Sequence, residues 1–161
     1  MRFRRMKERI LSEKLPKHRE RVKMTVAELV DGLSEFTDIY LKAAMVLTID
    51  NPPIGYLYIS DEYAAYAVKL MVKYAPKDKM LRVLVRGEDE SLVIEADFPD
   101  GLPGLDATAE IFAAARNAGF VADFRYNKIF LKTPLADPKL LPLRSGSGRR
   151  FYTVLEEMFF D

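Results

Sequence analysis

The chain contains no cysteine among its 161 residues, and it has a single histidine, His18. Without cysteine, disulfides, thiolate zinc sites, iron–sulfur clusters and cysteine nucleophiles are excluded. One histidine excludes a multi-histidine metal site within one chain, and a Ser-His-Asp triad would have to use that residue. We therefore predict no metal site.

Long apolar runs are also missing from the chain. No run approaches the roughly 18 residues that suggest a membrane span, and the first five residues, Met1-Arg2-Phe3-Arg4-Arg5, lack the apolar stretch of a secretory signal. We therefore expect a cytoplasmic protein with no membrane partner. The sequence is 49% hydrophobic, with 10 Phe and 8 Tyr, and 30% charged. This composition supplies a substantial core and excludes a disordered, collagen-like or low-complexity chain.

Charge is unevenly distributed, although the formal net charge is only +1. Ten of the first 23 residues are basic and three are acidic, which gives this arm +7; the remaining 15 basic and 21 acidic residues give −6. The arm is interpreted either as a solvated helix that complements an acidic body, or as a segment that binds an acidic partner or a phosphate backbone. Nucleic-acid binding is thus one alternative function, with Phe3 as the aromatic available near these charges.

Helices are predicted through the first 50 residues. Residues 2–14 suit a short basic helix that ends before Pro16, and that proline suits the first turn of the next helix. Apolar residues then recur near helical spacing over 16–49. This pattern predicts either one long helix or a tight antiparallel pair that breaks at Asp31-Gly32.

The break at Asn51-Pro52-Pro53 is interpreted as a domain boundary, because neither proline donates an amide. The predicted domains are a basic arm over 1–15, a helical segment over 16–50 and a sandwich domain over 54–161. The helical segment is predicted to dimerise, since one small sheet domain would leave part of its apolar stripe uncovered.

Beyond the break, the order of elements is typical of an α+β sandwich. Ser60 is predicted to cap the start of a helix, with Asp61 and Glu62 as acids of its first turn. Turn chemistry at Gly87-Glu88-Asp89-Glu90 predicts a hairpin, and Gly119 predicts the end of a helix. We predict a two-layer sandwich with a mostly antiparallel sheet, preceded by the helical segment; a ferredoxin-like sandwich is the alternative fold. The predicted strand, helix, hairpin, helix, hairpin and helix cover 55–59, 61–75, 81–96, 106–118, 120–132 and 150–160.

The stretch 61–103 resembles the ATP-binding domain of histidine kinases and its GHKL relatives. In that family a helix ending in Asn-Ala-x-Lys-Tyr-x-Pro leads into a hairpin and then an Asp-x-Gly-x-Gly-Ile-Pro loop. Here the helix ends Leu70-Met71-Val72-Lys73-Tyr74-Ala75-Pro76, and the loop reads Asp97-Phe98-Pro99-Asp100-Gly101-Leu102-Pro103. The similarity continues to residue 135 through a helix and a final hairpin.

The resemblance implies a nucleotide site that has been altered at several positions. Leu70 stands where the family has the asparagine that binds magnesium, and leucine has no oxygen to offer a hard cation. Pro99 replaces the first glycine of the loop, and the glycine-rich lid is missing because Leu105 leads directly into a helix. We therefore expect that ATP and magnesium binding has been lost and that the protein has no cofactor.

Three residues would bind nucleotide if that activity were retained, namely Asp97, Gly101 and Lys73. In the family the aspartate of the loop motif binds the adenine amine. Strand alternation from Ile94 and Ala96 places Phe98, one position later, on the inward face of the sheet instead.

The layout is also similar to phosphorelay histidine phosphotransferases, which join a dimerising helical hairpin to an ATPase-like module that binds no ATP. In those proteins the hairpin carries a phosphorylatable histidine and docks response regulators. That resemblance makes His18 the candidate catalytic residue, and the nearby cations Lys17, Arg19 and Arg21 would stabilise a phosphoryl group. Arg19 replaces the acidic residue that follows the family's histidine, and Glu20 comes one position later.

The sequence thus predicts a non-catalytic bacterial signalling or regulatory module that acts by protein contacts and dimerisation. The expected partners are a response regulator or kinase and a second copy of the chain. Histidine phosphotransfer through His18, residual ATP binding through Asp97 and nucleic-acid binding by the basic arm are the alternatives.

Overall fold

The computed structural model describes residues 11–139 and 149–160. These ranges contain seven strands and four helices, and their bounds are as follows: β1 (Val22–Thr25), α1 (Val26–Tyr40), β2 (Met45–Asp50), β3 (Tyr56–Ile59), α2 (Asp61–Tyr74), β4 (Leu81–Glu88), β5 (Ser91–Asp97), α3 (Leu105–Ala118), β6 (Val121–Arg125), β7 (Lys128–Pro134) and α4 (Phe151–Phe159).

The main sheet has five strands in the order β2-β4-β5-β7-β6, and β1 pairs with β3 in a separate antiparallel ladder. Within the main sheet only β2 and β4 are parallel, and the other neighbours are antiparallel. Leu33 of α1, Val68 of α2 and Phe151 of α4 meet Ile94 and Leu131 of the sheet in the core. The predicted α+β sandwich with a mostly antiparallel sheet is confirmed.

Local signals located most elements after residue 54 correctly. The Ser60 side chain accepts a hydrogen bond from the Tyr63 amide and caps α2. Asp89 and Glu90 both have positive φ, as a two-residue hairpin turn between right-twisted strands requires. Gly119 ends α3 in the left-handed conformation. These turns and caps depend on near neighbours in the sequence, which is why the sequence revealed them.

The prediction of one helix or a helix pair over 16–49 is wrong. Only α1 is helical there, and strands β1 and β2 flank it. The start of α1 is set by Thr25, whose hydroxyl accepts from the Glu28 amide at 3.0 Å. Thr25 and Glu28 have the spacing of a capping box, a signal that favours a helix start at this point. Residues 45–50 are a strand because they pair along β4.

The predicted basic helix over 2–14 lies mostly outside the described residues. Residues 11–14 are described and are not helical. The basic arm over 1–15 is accordingly described only from residue 11 onward.

Helix α1 continues through Asp31-Gly32, the position at which the alternative of an antiparallel helix pair requires a break. A Cβ atom on Gly32 would lie 2.8 Å from the backbone nitrogen of Tyr152 and 3.0 Å from the Cβ of Phe151. The glycine therefore allows the start of α4 to approach α1 closely. Glu28 strengthens this contact by accepting a hydrogen bond from the Phe151 amide at 3.0 Å.

Helix α4 covers the apolar side of α1, on which the predicted dimer surface was based. Leu29, Leu33 and Phe36 are at most 2% exposed, and the Phe36 ring centroid lies 4.7 Å from that of Phe159. Segment 16–50 also contributes β2 to the main sheet, so it is not a separate helical unit. The error arose because the element that covers this stripe lies at the far end of the chain.

The described helices are all 15 residues or shorter. A bilayer-spanning helix needs roughly 20 apolar residues. Within the described ranges, no helix is long and apolar enough to cross a membrane.

Candidate functional site

Helix α2 carries the first motif of the nucleotide-site resemblance, and one member of that motif lies in the core. Leu70 is 1% exposed and belongs to the hydrophobic core cluster. Lys73 lies on the exposed side of α2, with its Nζ 5.3 Å from the Tyr74 ring centroid. The structure therefore buries an apolar side chain in the core at the position where the resemblance implies a magnesium ligand.

Asp97 lies on the face of the sheet that points away from the helices. Its neighbour Phe98 is fully buried on the inward side, as strand alternation predicted. The Asp97 carboxylate accepts a hydrogen bond from Asn127 Nδ2 at 2.8 Å, and the same nitrogen donates to the Phe98 carbonyl at 3.2 Å. Asp97 thereby fastens the end of β5 to the turn between β6 and β7. Its cross-strand neighbours are Arg82 and Lys128.

The loop after β5 is closed by a tight turn. The Gly101 amide donates to the Phe98 carbonyl at 3.0 Å, which places Pro99 at the second position, where proline is favoured. Gly101 has a φ of +96°, a conformation that favours glycine. Lys79 and Asp100 form an exposed ion pair at 2.7 Å across this loop. The loop is thus ordered by its own turn chemistry, and α3 begins at Leu105 without an intervening lid.

Helices α2 and α3 are joined by two tyrosines and one carboxylate, which we call the Glu110 bridge. The Tyr74 hydroxyl donates to Glu110 Oε2 at 2.5 Å, and the Tyr66 hydroxyl donates to Oε1 at 3.3 Å. The hydrogen bond to Glu110 raises the pKa of Tyr74 to about 12. Burial, followed by the Glu110 charge, raises the pKa of Tyr66. The bridge therefore consists of two phenols, protonated at neutral pH, that donate to the Glu110 side chain.

A second candidate region, the His18 cleft, lies at the N-terminal end of α2. It is a cavity of about 1000 Å³, and six of the residues that line it are Lys17, His18, Arg21, Glu62, Arg149 and Glu157. The His18 side chain is 67% exposed, and its backbone carbonyl accepts from the Ser60 hydroxyl at 3.1 Å. The residue that caps α2 thus also positions the backbone of His18.

Glu62 is the central carboxylate of this cleft and is 11% exposed. Its Oε1 accepts from the Lys17 amide at 2.9 Å, and its Oε2 lies 3.5 Å from an Arg149 guanidinium nitrogen. The same oxygen lies 3.9 Å from Nε2 of His18. Arg149 also pairs with Glu157 of α4. The cleft therefore brings an imidazole, a carboxylate and a guanidinium together from separate parts of the chain.

Lys69 holds the chain segment that carries this cleft. Its side chain is buried, and its ammonium donates to the backbone carbonyls of Ser12 at 3.0 Å, Lys14 at 2.8 Å and Met158 at 3.2 Å. The Ser12 hydroxyl donates to the same Met158 carbonyl at 2.8 Å. One buried cation thus ties residues 12–14 to the end of α4.

Sequence reasoning missed Glu62, Lys69 and Arg149. Glu62 was interpreted only as an acid in the first helical turn, which is a common place for one. A usable signal existed for Lys69, because it is a lone charge inside the apolar run Ala67-Val68-Lys69-Leu70-Met71-Val72. Buried lysines are rare unless they are paired, so such a residue indicates a structural or functional anchor.

Among residues 11–139 and 149–160, no group of three histidine or carboxylate side chains is arranged to hold a metal ion. The two regions offer hydrogen bonds, ion pairs and one accessible imidazole.

No protein-family model and no curated protein sequence matches this chain. Among solved structures, the catalytic domain of histidine kinase ThkA is similar over 72% of this chain and 97% of that domain, with 9% identity and a TM-score of 0.50. The cytoplasmic segment of histidine kinase QseC is similar over 78% and 85% of the two chains, with 15% identity and a TM-score of 0.48. Acinetobacter baumannii histidine kinase AdeS is similar over 84% and 75%, with 12% identity and a TM-score of 0.47. The likeness to ThkA shows a shared fold: the sandwich is of the histidine kinase ATPase type.

Proposed function

We propose that this chain is a regulatory module of bacterial signalling whose histidine-kinase-ATPase-like fold no longer binds nucleotide and acts through protein contacts. The observation that carries the proposal is the Glu110 bridge. The motif positions lie at the C-terminal end of α2 and in the loop before α3. The bridge joins these two helices, and we infer that a nucleotide held by both motif regions would have to displace the contacts of Tyr66 and Tyr74 with Glu110.

Electrostatics at the bridge oppose a nucleotide. Entry of a triphosphate would break two hydrogen bonds to Glu110 and bring phosphate charge close to its carboxylate. Glu110 is partly buried, and each lost hydrogen bond to its charge costs about 1 to 2 kcal/mol. Magnesium would normally offset such repulsion, but Leu70 supplies no oxygen for it.

The loop motif supports the same interpretation. The Asp97 carboxylate is used by Asn127 on the face of the sheet opposite α2. The Gly101 amide is used by the Phe98 carbonyl, so that it is not directed at a ligand. Each residue has a structural partner in place of a nucleotide contact.

The test is thermal unfolding with and without Mg-ATP, with magnesium alone and Mg-ADP as references. A ligand at about 100 times its dissociation constant stabilises the native state by about 2.7 kcal/mol, which such a scan detects easily. We expect no shift for the natural chain. A clear upward shift with Mg-ATP would contradict the loss of nucleotide binding.

Glu110→Gln serves as a matched variant for this test. It keeps the shape of the bridge and removes the carboxylate charge. We expect it to be less stable than the natural chain and still unresponsive to Mg-ATP, because Leu70 and Asp97 are unchanged. A response in this variant alone would identify the Glu110 charge as the sole barrier.

The protein partners proposed for this module are a response regulator or a kinase, as the resemblance to phosphorelay proteins implies. This part is tested by titrating the chain with isolated receiver domains and kinase dimerisation domains and following binding by calorimetry. Saturable binding to either class supports the proposal. Failure to bind any of them, together with salt-dependent binding to DNA or RNA, would favour the basic arm as the functional element.

A second candidate function is phosphotransfer through His18, and the His18 cleft is the observation that favours it. The imidazole is exposed at the wall of the cavity, and Lys17, Arg21 and Arg149 line the same space. Glu62 brings a carboxylate to within 3.9 Å of Nε2, although the residue after the histidine is Arg19. A carboxylate near the imidazole is suited to accept its proton while nitrogen attacks phosphorus.

This candidate is tested with phosphoramidate as the phosphoryl donor. The expected product is a single phosphoryl group that is lost in acid and is absent in His18→Gln. Absence of labelling in the folded natural chain, with phosphoramidate and with a phosphorylated response regulator as donors, would reject the candidate.

A further inference from the structure

Strand β6 forms one edge of the main sheet and exposes large apolar side chains. Val121 is 69% exposed, Phe124 56% and Tyr126, in the adjoining turn, 89%. An edge strand with unpaired backbone groups and apolar side chains is a template for pairing with another strand.

The outward backbone groups of β6 can be identified. Arg125 pairs with Lys128 next to the two-residue turn, so these two residues exchange the ladder hydrogen bonds. Because the pattern alternates, the amides and carbonyls of Ala122 and Phe124 point away from β7. The Phe124 amide indeed donates to the carboxylate of its neighbour Asp123 at 2.8 Å.

We propose that β6 pairs antiparallel with β6 of a second copy of this chain, centred on Phe124. A two-fold axis perpendicular to the sheet relates the two strands and keeps each side chain on the same face of the sheet. Residues directly opposite each other in an antiparallel pair also lie on the same face. In a symmetric pair the axis must therefore pass between two copies of one residue, which lie directly opposite each other.

The charges of β6 select Phe124 as that centre. A Phe124-centred register places Asp123 opposite Arg125 of the partner subunit, and symmetry forms this ion pair twice. Centring on Asp123 would place two carboxylates opposite each other, and centring on Arg125 would do the same with two guanidinium groups. Centring on Ala122 would leave Asp123 opposite a valine. Opposite charges across strands stabilise a pair, and like charges destabilise it.

The Phe124-centred register also satisfies the backbone. Asp123 would leave the Phe124 amide of its own chain for Arg125 of the partner subunit. The released amide would donate to the carbonyl of Phe124 of the partner subunit. On the helix side of the sheet, the Phe124 ring already lies 6.2 Å from Phe112 and would gain the partner's ring.

We propose the β6 edge as the dimer surface in place of the one predicted for residues 16–50. This proposal does not depend on the loss of nucleotide binding. The interface is short, so a weak dimer is expected. Sedimentation analysis over a range of protein concentrations should show a reversible monomer–dimer equilibrium. A monomer at every concentration would overturn the inference and leave the nucleotide proposal standing.

Charge variants test the register. Arg125→Asp alone and Asp123→Arg alone would place like charges opposite each other, and each should weaken the dimer about tenfold or more. The double variant Asp123→Arg/Arg125→Asp exchanges the two charges and should restore the dimer. Restoration would identify a self-complementary pair, which a nonspecific charge effect could not produce.

The matched control lies on the opposite edge of the sheet. Asp50→Arg in β2 changes an exposed edge charge by the same amount and should leave the dimer unchanged. Thermal unfolding of every variant confirms that it is folded, as expected for exposed sites. A dimer that survives both single variants, or a double variant that remains monomeric, would overturn the proposed pairing.

Discussion

The two sides of helix α2 are built in opposite ways. Toward α3, the helix is closed by Tyr66 and Tyr74 on Glu110. Toward residues 12–18 and α4, it borders a cavity of about 1000 Å³ in which charged side chains remain accessible. On the side toward α3, where we propose that nucleotide binding has been lost, the protein's own side chains contact one another. The open space lies on the other side.

The difference teaches that a shared fold does not fix where a site lies. On the closed side every polar group of the Glu110 bridge has a partner within the sandwich. On the open side Glu62 is shared by the Lys17 amide and Arg149, and the His18 side chain is left exposed. The accessible charged groups near α2 lie at its N-terminal end.

The largest expected effect comes from Lys69→Met, which removes the buried ammonium group that ties residues 12–14 to the end of α4. Its loss leaves the carbonyls of Ser12, Lys14 and Met158 without their buried cation. We expect a loss of about 3 kcal/mol in the free energy of unfolding, because unsatisfied buried groups are strongly penalised. Residues 11–17 should also become sensitive to proteolysis. Denaturant titration and limited proteolysis measure the two effects.

Lys73→Met is the matched control, since Lys73 lies on the same helix and is exposed. It should change stability by no more than about 0.5 kcal/mol. Equal losses in the two variants would contradict the anchoring role of Lys69.

The next effect comes from Gly32→Ala, which tests how closely α4 packs against α1. The new methyl group would meet the backbone of Tyr152 at 2.8 Å, and backbone cannot yield cheaply. Overpacking of this kind costs about 2 kcal/mol. Gly104→Ala, where an added Cβ meets nothing within 4 Å, should cost clearly less. An unchanged melting temperature for Gly32→Ala would contradict the close contact.

A smaller effect is expected on the closed side, from Tyr74→Phe. Removing one hydroxyl from the Glu110 bridge should cost about 1 to 2 kcal/mol at neutral pH, as for a hydrogen bond to a charged group. Denaturant titration at pH 7 measures it.

The same bridge predicts a pH dependence whose sign is fixed by the raised pKa. Because the pKa of Tyr74 is raised from its ordinary value of 10.0 to about 12 in the folded state, the native state holds this proton more tightly. The stability it contributes is complete below pH 10 and is lost as the pH rises from 10 to 12. Tyr74→Phe should lose less stability over this interval than the natural chain, and Tyr126→Phe, at an exposed site, should behave like the natural chain. Identical pH profiles for the natural chain and Tyr74→Phe would contradict the bridge.

The smallest effect is expected from His18→Gln. The backbone carbonyl of His18, and not its side chain, carries the hydrogen bond from Ser60. With a side chain that is 67% exposed, the substitution should change stability by no more than about 0.5 kcal/mol. A large loss would mean that the imidazole is a structural group of the cleft.

The sequence was most informative where the physical cause is local. The cap at Ser60, the turn at Asp89-Glu90 and the stop at Gly119 each depend on a few neighbouring residues, and all were predicted. Strand β2 was missed because its parallel partner β4 lies in another part of the chain, so nothing nearby distinguishes it from a helix. The capping box at Thr25 and Glu28 was available and would have shortened the predicted helix.

For the candidate site too, features with a local cause could be predicted from the sequence, and contacts between distant residues could not. The apolar residue Leu70, at the position where the resemblance implies a magnesium ligand, could be read directly from the sequence. The inward direction of Phe98 followed from strand alternation. The Glu110 bridge could not, because its tyrosines lie 36 and 44 residues from Glu110 and meet it only after the helices pack. The His18 cleft was equally hidden, since Glu62 and Arg149 are 87 residues apart.

The most direct test of the central claim is a nuclear magnetic resonance titration of the amide signals with Mg-ATP. The account predicts that the amides of Leu70, Lys73, Asp97 and Gly101 do not shift as Mg-ATP is added. Saturable shifts confined to these four residues and the loop around them would contradict it, because they would mean that nucleotide enters between α2 and α3 despite the Glu110 bridge.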